Sequence, residues 1–333
     1  MVIAENIYDI ARQSGVSIAT VSRVINGKGN VSEKTRQRVL SVMEEAGYRP
    51  NIFARGLGLH SIRMVGVMCS DVADIFYAQA VSCLENELRG LGYDAILCCT
   101  GDDLAHKQKG IELLLSKHVD AIILVGSVFK ELHDNSHIER AAAQIPVVII
   151  NGRFELPGAY CVLCDDRRAM AANVQALAKA GRRDILYLYD SESFSGISKL
   201  AGYQDGLREA GIAYRDELVV QCGKGLEQAR EAVLGVLGQG RRFDGLAAAE
   251  DLLAVGALQA LREQGIPVPG EVGVIGFNDS ILARCAFPPL SSVDNKVGAL
   301  CETAVRVLMG VFAGKNVPQQ TVLTADLVRR ESF

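Results

Sequence analysis

The first fifty residues carry apolar side chains at helical spacing in three groups separated by turn residues. The first group ends before Gly15, the second follows Ser17 and the third follows Ser32 and ends near Gly47. A serine just before an apolar helical repeat can accept hydrogen bonds from the free N–H groups of the first turn, so Ser17 and Ser32 are predicted N-caps. The pattern predicts three short helices, and a few apolar residues supply their inward faces: Ile7, Ile10, Ala11, Val21, Val24, Ile25, Val39, Val42 and Met43.

The spacing of the first two groups fits a helix-turn-helix. Counting from Ile7, the small Ala11 is fifth, where crossing helices come closest, and Gly15 is ninth, where a positive φ is needed. Val21 and Val24 are fifteenth and eighteenth and would bury the second helix. The outward face of that helix carries hydroxyl, apolar and guanidinium groups but no acid: Ile18, Ala19, Thr20, Ser22 and Arg23. Such a face is free to enter a DNA major groove, with a plain helical hairpin as the alternative.

From about Ser61 onward, short β-rich apolar runs alternate with amphipathic helical stretches. Nine runs are predicted strands, and they fall into two halves with a break near Cys164: 64–68, 94–99, 120–125, 146–150, 160–164, 184–189, 217–222, 244–249 and 271–277. This alternation predicts parallel sheets covered by helices, and two facing halves would enclose a cleft.

Residues that follow the predicted strands are candidate ligand contacts, because such sheets bind ligands beyond the carboxyl ends of their strands. In the first half these are Asp71, Asp74, Phe76, Tyr77, Asn151 and Arg153. In the second half the segments "SESFSGISK", "CGKG", "AAAED" and "GFND" supply Ser193, Ser195, Lys199, Lys224, Glu250 and Asn278.

Composition and charge narrow the class of protein. The 333 residues are 49% hydrophobic and 22% charged, a globular composition long enough for two or three domains. Because no apolar run is bilayer-spanning, no signal-peptide pattern opens the chain and the nine cysteines are scattered, we expect a cytoplasmic protein without a membrane partner. The net charge of -4 combines +4 over residues 1–63 with -8 over the rest. A basic end on an acidic body indicates a polyanionic partner for that end only.

Motifs of cofactor and metal chemistry are weak. Cys161 and Cys164 have redox spacing but fall in a predicted strand, where residues three apart point to opposite faces. His133 and His137 lack the glutamate of a zinc protease, and Asn135 and Ser136 between them suggest a loop. "GLGLHS" lacks the preceding strand and third glycine of a dinucleotide site. We therefore predict no cofactor and no metal, and the absence of a convergent catalytic set disfavours an α/β enzyme.

The runs "IYDIARQSGVSIATVSRVIN" and "VSEKTRQRVLSVMEEAGYRPN" resemble the headpiece of the lactose-repressor/galactose-repressor (LacI/GalR) family of bacterial transcription regulators. The resemblance continues through "KLAGYQDGLREAGI", "DLLAVGALQALREQGIPVPGEVGVIGFND", "PPLSSVD" and "LVRRES", so it covers essentially the whole chain. It implies an α/β protein with a three-helix helix-turn-helix headpiece (1–50), a hinge helix or linker (51–60) and two Rossmann-like parallel-sheet subdomains similar to periplasmic binding proteins. The subdomains would comprise 61–163 with about 294–323, and 164–293 with about 324–333.

The resemblance also implies a ligand-responsive repressor that binds a pseudo-palindromic operator as a homodimer. A tetrameric relative carries a leucine-heptad tail, which does not follow "LVRRES" here. Arg23 is expected to read base edges, Ile18 and Ala19 to contact thymine methyls, and Thr20, Ser22 and Asn26 to hold phosphates and register. Ser17 and Arg55 are further expected DNA contacts. Leu57 matches the hinge leucine that wedges into the minor groove, and Gly56 before it is expected to make the hinge fold less readily.

In the family's ligand cleft, a stacking aromatic corresponds to Tyr77 and polar contacts correspond to Ser193 and Ser195. This chain departs from the usual pattern at Lys199, where arginine is common, and at Glu250, where asparagine is common. Lys224 replaces an aromatic of some relatives, whereas Asn278 fits the pattern. A sugar is the favoured ligand, and a nucleobase or an amine is the alternative. Whether the ligand releases or strengthens DNA binding stays open.

Overall fold

A computed structural model describes residues 6–25, 29–48 and 61–333. The chain divides into two compact units, Met1–Arg63 and Met64–Phe333. The first unit is referred to below as the headpiece and the second as the body.

The described part of the headpiece contains three helices, α1 (Ile7–Ser14), α2 (Ile18–Ile25) and α3 (Glu33–Glu45). Both predicted serine caps are confirmed. The Ser17 hydroxyl accepts the backbone N–H of Thr20 at 3.2 Å, and the Ser32 hydroxyl accepts that of Thr35 at 3.3 Å. Each hydroxyl satisfies a donor that the first helical turn would otherwise leave unpaired.

The helix-turn-helix geometry follows from the small core of the headpiece. Gly15 ends α1 with φ +64°, a conformation that costs glycine little, and the chain can therefore turn directly into α2. The predicted inward residues meet there, with the innermost five buried: Ile10, Ala11, Val21, Val24 and Val39. The prediction of a three-helix helix-turn-helix headpiece is confirmed.

The body begins with five strands and the helices that connect them. The strands are β1 (Met64–Cys69), β2 (Asp94–Cys99), β3 (Ala121–Val125), β4 (Val147–Ile150) and β5 (Ala159–Cys164). The helices are α4 (Ile75–Gly90), α5 (Leu104–Ser116) and α6 (Ser136–Ala142), and a short 3-10 helix covers Ser127–Phe129.

The second half of the body repeats the alternation. Its strands are β6 (Ile185–Tyr189), β7 (Val219–Gln221), β8 (Gly245–Ala248), β9 (Gly273–Phe277) and β10 (Ser291–Asp294). Its helices are α7 (Asp166–Lys179), α8 (Phe194–Glu209), α9 (Leu226–Gly238), α10 (Asp251–Glu263) and α11 (Ile281–Cys285), with a 3-10 helix at Asp216–Leu218. The chain continues with α12 (Val297–Phe312), β11 (Gln320–Leu323) and β12 (Asp326–Val328).

Twelve described strands form two six-stranded sheets. The first sheet has the order β11-β5-β4-β3-β1-β2 and is parallel throughout, and the second has the order β12-β10-β9-β8-β6-β7 with only β12 antiparallel. Helix α12 packs on the first sheet, in one core cluster with residues of β1, β3 and β5. The α/β prediction of two parallel-sheet halves is therefore confirmed.

Both faces of the first sheet are apolar, which explains the unbroken apolar runs in the sequence. Along β5, Cys161 packs into the cluster on one face and Cys164 into the cluster on the other. Their opposite orientation confirms why the Cys-x-x-Cys spacing is not a redox motif.

Three strands were missed, and one strand prediction and one loop prediction need correction. The sequence pattern missed β10, β11 and β12, which are only three or four residues long and carry serine, glutamine or aspartate instead of an apolar run. The strand predicted over 217–222 is shorter, because a 3-10 helix runs to Leu218. The loop predicted around Ser136 is the first turn of α6, where His137 is buried.

Candidate functional site

The first candidate site is the outward face of α2. Ser17, Ala19 and Arg23 are exposed and Ile18 is 41% exposed, while Thr20 and Ser22 are half-buried beside them. The first turn of this helix holds no acid and its last turn holds Arg23. The face is therefore cationic and rich in hydroxyls, as contact with a polyanion requires.

Local packing positions the arginine of this face. Gly29 has φ +80°, and a Cβ added there would lie only 3.3 Å from Cδ of Arg23. The absence of a side chain at Gly29 thus lets its backbone lie beside the Arg23 side chain. The predicted DNA contacts Asn26, Arg55 and Leu57 lie outside the described residues and stay predictions.

The second candidate site is a cleft between the two sheets of the body. It encloses about 520 Å³ and is lined from the carboxyl ends of strands in both sheets. Ten residues predicted to contact the ligand lie in its lining: Asp71, Phe76, Tyr77, Asn151, Ser193, Ser195, Lys199, Lys224, Glu250 and Asn278. Asp74 lines it as well, but Arg153 does not, and its guanidinium pairs with Glu155 at 2.8 Å.

The first wall of the cleft is defined as the lining residues on loops of the first sheet. Its polar side chains hydrogen bond to the backbone of those same loops. Oδ1 of Asp74 accepts the backbone N–H groups of Phe76 and Tyr77, which caps α4. Asn151, held at φ +59°, accepts the N–H of Cys164 through its Oδ1 at 2.9 Å. These contacts fix the ends of β4 and β5 and the start of α4.

The ring of Tyr77 forms part of the first wall. Gly126 approaches the ring so closely that a Cβ there would lie 2.6 Å from Cε1 of Tyr77. Phe76 packs edge-on against the ring at 5.5 Å between centroids. Burial raises the pKa of the Tyr77 phenol, so the phenol stays neutral and can donate a hydrogen bond at ordinary pH. An aromatic plane held this firmly is suited to stack on a ring-shaped ligand.

The second wall, defined by lining residues of α7, α8 and the loops of the second sheet, is dominated by charge. Lys199 is 6% exposed, donates from Nζ to the carbonyl of Ala249 at 2.8 Å and lies 4.1 Å from the centroid of the Phe277 ring. Asp166, also buried, accepts the hydroxyl of Ser195. A buried ammonium of this kind is stabilised by its carbonyl, by the aromatic face and by nearby carboxylates.

Close helix packing brings Lys199 and Asp166 together. Gly202 and Gly206 lie one turn apart on α8, and a Cβ at Gly202 would collide with the carbonyl of Arg167 on α7. Without side chains at these points the two helix backbones approach closely. The first turn of α7 therefore reaches the first two turns of α8, where Ser195 and Lys199 lie.

The carboxylates of the second wall are shifted toward the protonated form. Burial, followed by the negative charge of Asp190, raises the pKa of Glu250 to about 7, and the Lys199 ammonium only partly opposes this. Burial also raises the pKa values of Asp166 and Asp190, again against the influence of Lys199. The wall concentrates more negative charge than its one buried lysine offsets.

Two contacts bridge the walls. The Ser127 hydroxyl donates to the Ser193 hydroxyl at 2.9 Å, and Lys224 pairs with Asp102. Each contact joins a residue beyond the first sheet to a residue beyond the second sheet. The halves are thus in contact across the cleft in this structure.

Several lining residues were missed by sequence reasoning, and most carry the same signal as those that were found. Asp102 follows β2, Ser127 follows β3 and Asp190 follows β6, so the rule of strand carboxyl ends would have identified all three. Asn295 follows β10, which was not recognised as a strand. Asp166 follows β5 by two residues, so the same rule would also have identified it, although it looks like an ordinary residue at the start of a helix.

Among the residues described, no group of three or more His, Cys, Asp and Glu side chains could hold a metal ion. Within the same ranges, no helix is both long and apolar enough to cross a membrane.

An acid-free helix face on a helix-turn-helix, joined in one chain to a two-sheet ligand cleft, defines a DNA-binding regulator with a ligand-binding body. Comparison with known proteins agrees: residues 6–51 match the family described as "Bacterial regulatory proteins, lacI family", and residues 174–333 match the "Periplasmic binding protein-like domain". The chain belongs to the LacI family of bacterial transcriptional regulators.

The relatives support this assignment along the whole chain. An HTH-type transcriptional regulator of Lachnoclostridium phytofermentans is 47% identical over 329 residues, which cover 98% of this chain and 99% of the relative. DegA of Bacillus subtilis, also an HTH-type transcriptional regulator, is 33% identical over 98% of this chain and 97% of its own length. Since the relatives are regulators, the prediction that the chain is not an enzyme is confirmed.

Solved structures are similar over the same span. A lac repressor dimer bound to operator and the anti-inducer ONPF has a TM-score of 0.90 at 25% identity and covers 99% of each chain. A CelR–cellobiose complex has a TM-score of 0.74 at 28% identity and covers 99% of this chain and 100% of its own.

Proposed function

We propose that this chain is a repressor that binds a pseudo-palindromic operator as a homodimer and binds a sugar in the cleft of its body. The acid-free, exposed face of α2 carries the DNA-binding part of the proposal, because its hydroxyls and Arg23 suit a duplex groove. The similarity to a lac repressor dimer on operator supports the oligomeric part. Operator binding also places the protein in the cytoplasm.

Within this proposal, Arg23 hydrogen bonds base edges and the small side chains of α2 set the register. Ile18 and Ala19 contact thymine methyls, while Ser17, Thr20 and Ser22 contact phosphates. Asn26 and Arg55 add backbone contacts, and Leu57 wedges into the minor groove. The hinge would occupy 51–60, between a headpiece of 1–50 and subdomains of 61–163 with about 294–323 and 164–293 with about 324–333.

The cleft residues take two roles in the proposal. Tyr77 and Phe76 stack on the sugar ring, and polar side chains of both walls hold its hydroxyls: Asp71, Asn151, Ser193, Ser195, Lys199, Lys224, Glu250 and Asn278. The complex of a structural relative, CelR, with cellobiose supports a sugar over a nucleobase. Closure of the halves around the ligand would change the geometry that the hinges require on DNA.

The DNA-binding test uses a duplex operator selected by the wild-type protein from a random library. Arg23→Ala should weaken operator binding by about 5- to 150-fold, equivalent to roughly 1–3 kcal/mol, with little change on random duplex. Arg12→Ala, which removes one exposed charge from α1, is the matched control and should affect both duplexes alike. Fluorescence anisotropy at fixed salt measures the affinity of the wild type and both variants for each duplex. A single half-site should bind far more weakly than the full site.

Two results would contradict the proposal. An equal loss on operator and random duplex in Arg23→Ala would reduce Arg23 to a phosphate contact. Full affinity for a single half-site would remove the dimeric operator from the proposal.

A further inference from the structure

The lining of the cleft is strongly acidic. Among the described residues it contains six carboxylates and two ammonium groups: Asp71, Asp74, Asp102, Asp166, Asp190 and Glu250, with Lys199 and Lys224. A low-dielectric cleft lined by one sign of charge favours ligands of the opposite sign and repels ligands of the same sign. The excess therefore disfavours phosphorylated sugars and sugar acids.

Both lysines are already paired within the protein. Lys199 donates to the carbonyl of Ala249 and lies over the ring of Phe277, and Lys224 pairs with Asp102. Neither ammonium group is therefore fully available to a ligand in the cleft. Five carboxylates thus remain without a lysine hydrogen bond: Asp71, Asp74, Asp166, Asp190 and Glu250.

Asp190 and Glu250 stand out among these carboxylates, because the charge of Asp190 disfavours the charged form of Glu250 and no side chain of the described residues donates a hydrogen bond to either. Asp71, Asp74 and Asp166 accept hydrogen bonds from nearby backbone N–H groups or from Ser195. Asp190 and Glu250 are half-buried, and the Glu250 side chain caps no backbone N–H although it starts α10. The Asp190 carboxylate accepts its own backbone N–H. A half-buried carboxylate with so few donors is still costly, so donors from outside the protein would stabilise both groups.

One amide oxygen in the lining is also buried without a partner. Asn295 is 2% exposed, its amide donates to Oδ1 of Asn278 at 2.9 Å, and its own Oδ1 is buried without a hydrogen-bond partner. Asn295 follows β10, whereas Asp190 and Glu250 follow other strands, so it is an observation independent of the two carboxylates. The unsatisfied groups of the cleft are therefore acceptors, which calls for a ligand rich in donors.

Resting on the proposed function, we infer that the ligand is an amino sugar whose protonated amine is held by Asp190 and Glu250. An ammonium offers three donors, and the free Oδ2 of Asp74 on the first wall is the third acceptor for it. The remaining hydroxyls of the sugar supply donors to the rest of the lining, including Asn295. A neutral sugar would add no positive charge to the two that Lys199 and Lys224 already place near the carboxylates.

The geometry also couples binding to proton release. Glu250 faces Asp190 and Asp74, and the positive charges near it are Lys199 and Lys224. With the cleft empty, its pKa of about 7 leaves a large part of Glu250 protonated at neutral pH. A bound ammonium favours the charged form, so the amino sugar should displace up to one proton per site, whereas a neutral sugar should displace none.

Calorimetry on the full chain tests the inference with three matched sets: glucosamine, galactosamine and mannosamine, their N-acetyl forms and the neutral parent hexoses. At pH 7, we expect one amine to bind at least about tenfold more tightly than its acetylated and neutral partners, a tenfold ratio being about 1.4 kcal/mol. Titration in two buffers of different ionisation enthalpy should report proton release for the amine only. A neutral or acetylated sugar that binds as tightly as its amine overturns the inference but leaves the sugar-binding proposal intact. Failure of every sugar overturns both.

Variants locate the amine. Glu250→Gln and Asp190→Asn should each reduce the preference for the amine at least fivefold, and Glu250→Gln should abolish the proton release. Glu192→Gln is the matched control, since Glu192 is exposed, lies beside the cleft and is outside its lining. It should keep the preference within about twofold, in line with the small effect of screened surface charges. An equal loss in Glu192→Gln overturns the assignment to Asp190 and Glu250, and unfolding midpoints of all three variants verify that each is folded.

Discussion

The two walls of the cleft differ in what their polar groups hydrogen bond. On the first wall, Asp74 caps a helix and Asn151 ties the end of β4 to the end of β5. On the second wall, Lys199 is held by a carbonyl and an aromatic ring, while Glu250 has no side-chain donor among the described residues. The first wall is therefore a preformed surface with an aromatic plane. The second wall holds carboxylates that repel one another and are only partly neutralised by Lys199. Ligand discrimination should depend mainly on the second wall.

The largest expected effect comes from removing the buried ammonium of the second wall. Lys199→Met leaves Asp166, Asp190 and Glu250 without their nearest positive charge. The free energy of unfolding of the body should fall by about 3–5 kcal/mol at pH 7, as when one partner of a buried ion pair is removed. Urea denaturation measures this change.

Lys130→Met is the control for that experiment, because Lys130 also lies over an aromatic ring, 4.7 Å from the centroid of Phe154, but outside the cleft lining. Its loss should cost about 1 kcal/mol or less. If the two variants are equally stable, the charge concentration ascribed to the second wall does not exist.

A smaller effect should appear in the pH dependence of stability. The pKa of Glu250 is raised by burial to about 7 in the folded protein, above its value in the unfolded chain. The unfolded state therefore releases the proton first, and stability present below about pH 4.5 is lost as the pH rises toward 7. Relative to wild type, Glu250→Gln should remove roughly 1–3 kcal/mol of this decline. Identical slopes of unfolding free energy between pH 5 and 7.5 would contradict the burial of this carboxylate.

The smallest effect concerns the ion pair between the walls. Asp102 and Lys224 are each about half exposed, so solvent screens their attraction. A double-mutant cycle with Asp102→Ala and Lys224→Ala should give a coupling energy of about 0.2–1 kcal/mol that shrinks in high salt. A coupling above about 2 kcal/mol, or one insensitive to salt, would mean that the pair is a structural clamp instead of a weak closure contact.

The sequence predicted the frame of the cleft better than its electrostatics. Strands β1 to β9 were recognisable as apolar runs, and the rule of strand carboxyl ends placed residues such as Tyr77 and Glu250 in one lining. The same rule failed for Arg153, which turns away to Glu155, because it says nothing about side-chain direction.

Pairing within the second wall could not be predicted, because it joins residues far apart in the chain. Asp166 meets Ser195 across two helices, and Lys199 meets the carbonyl of Ala249 after β8. Neither contact leaves a local pattern in the sequence. The short strands β10 to β12 were missed for a similar reason: their pairing partners, not their own residues, make them strands.

The late position of β11 and β12 has a consequence for synthesis of the protein. The first sheet is completed by β11 beside β5, with Gln320 opposite Cys161, and the second by β12 beside β10. While the chain grows on the ribosome, β5 is therefore an open edge strand, and the helix α12 that covers part of its sheet has yet to be made. Open apolar edges invite pairing with other chains. Both sheets thus stay incomplete until β11 and β12 are made, at nearly the same moment of translation. A nascent chain stalled before residue 320 should therefore depend on chaperones to avoid aggregation.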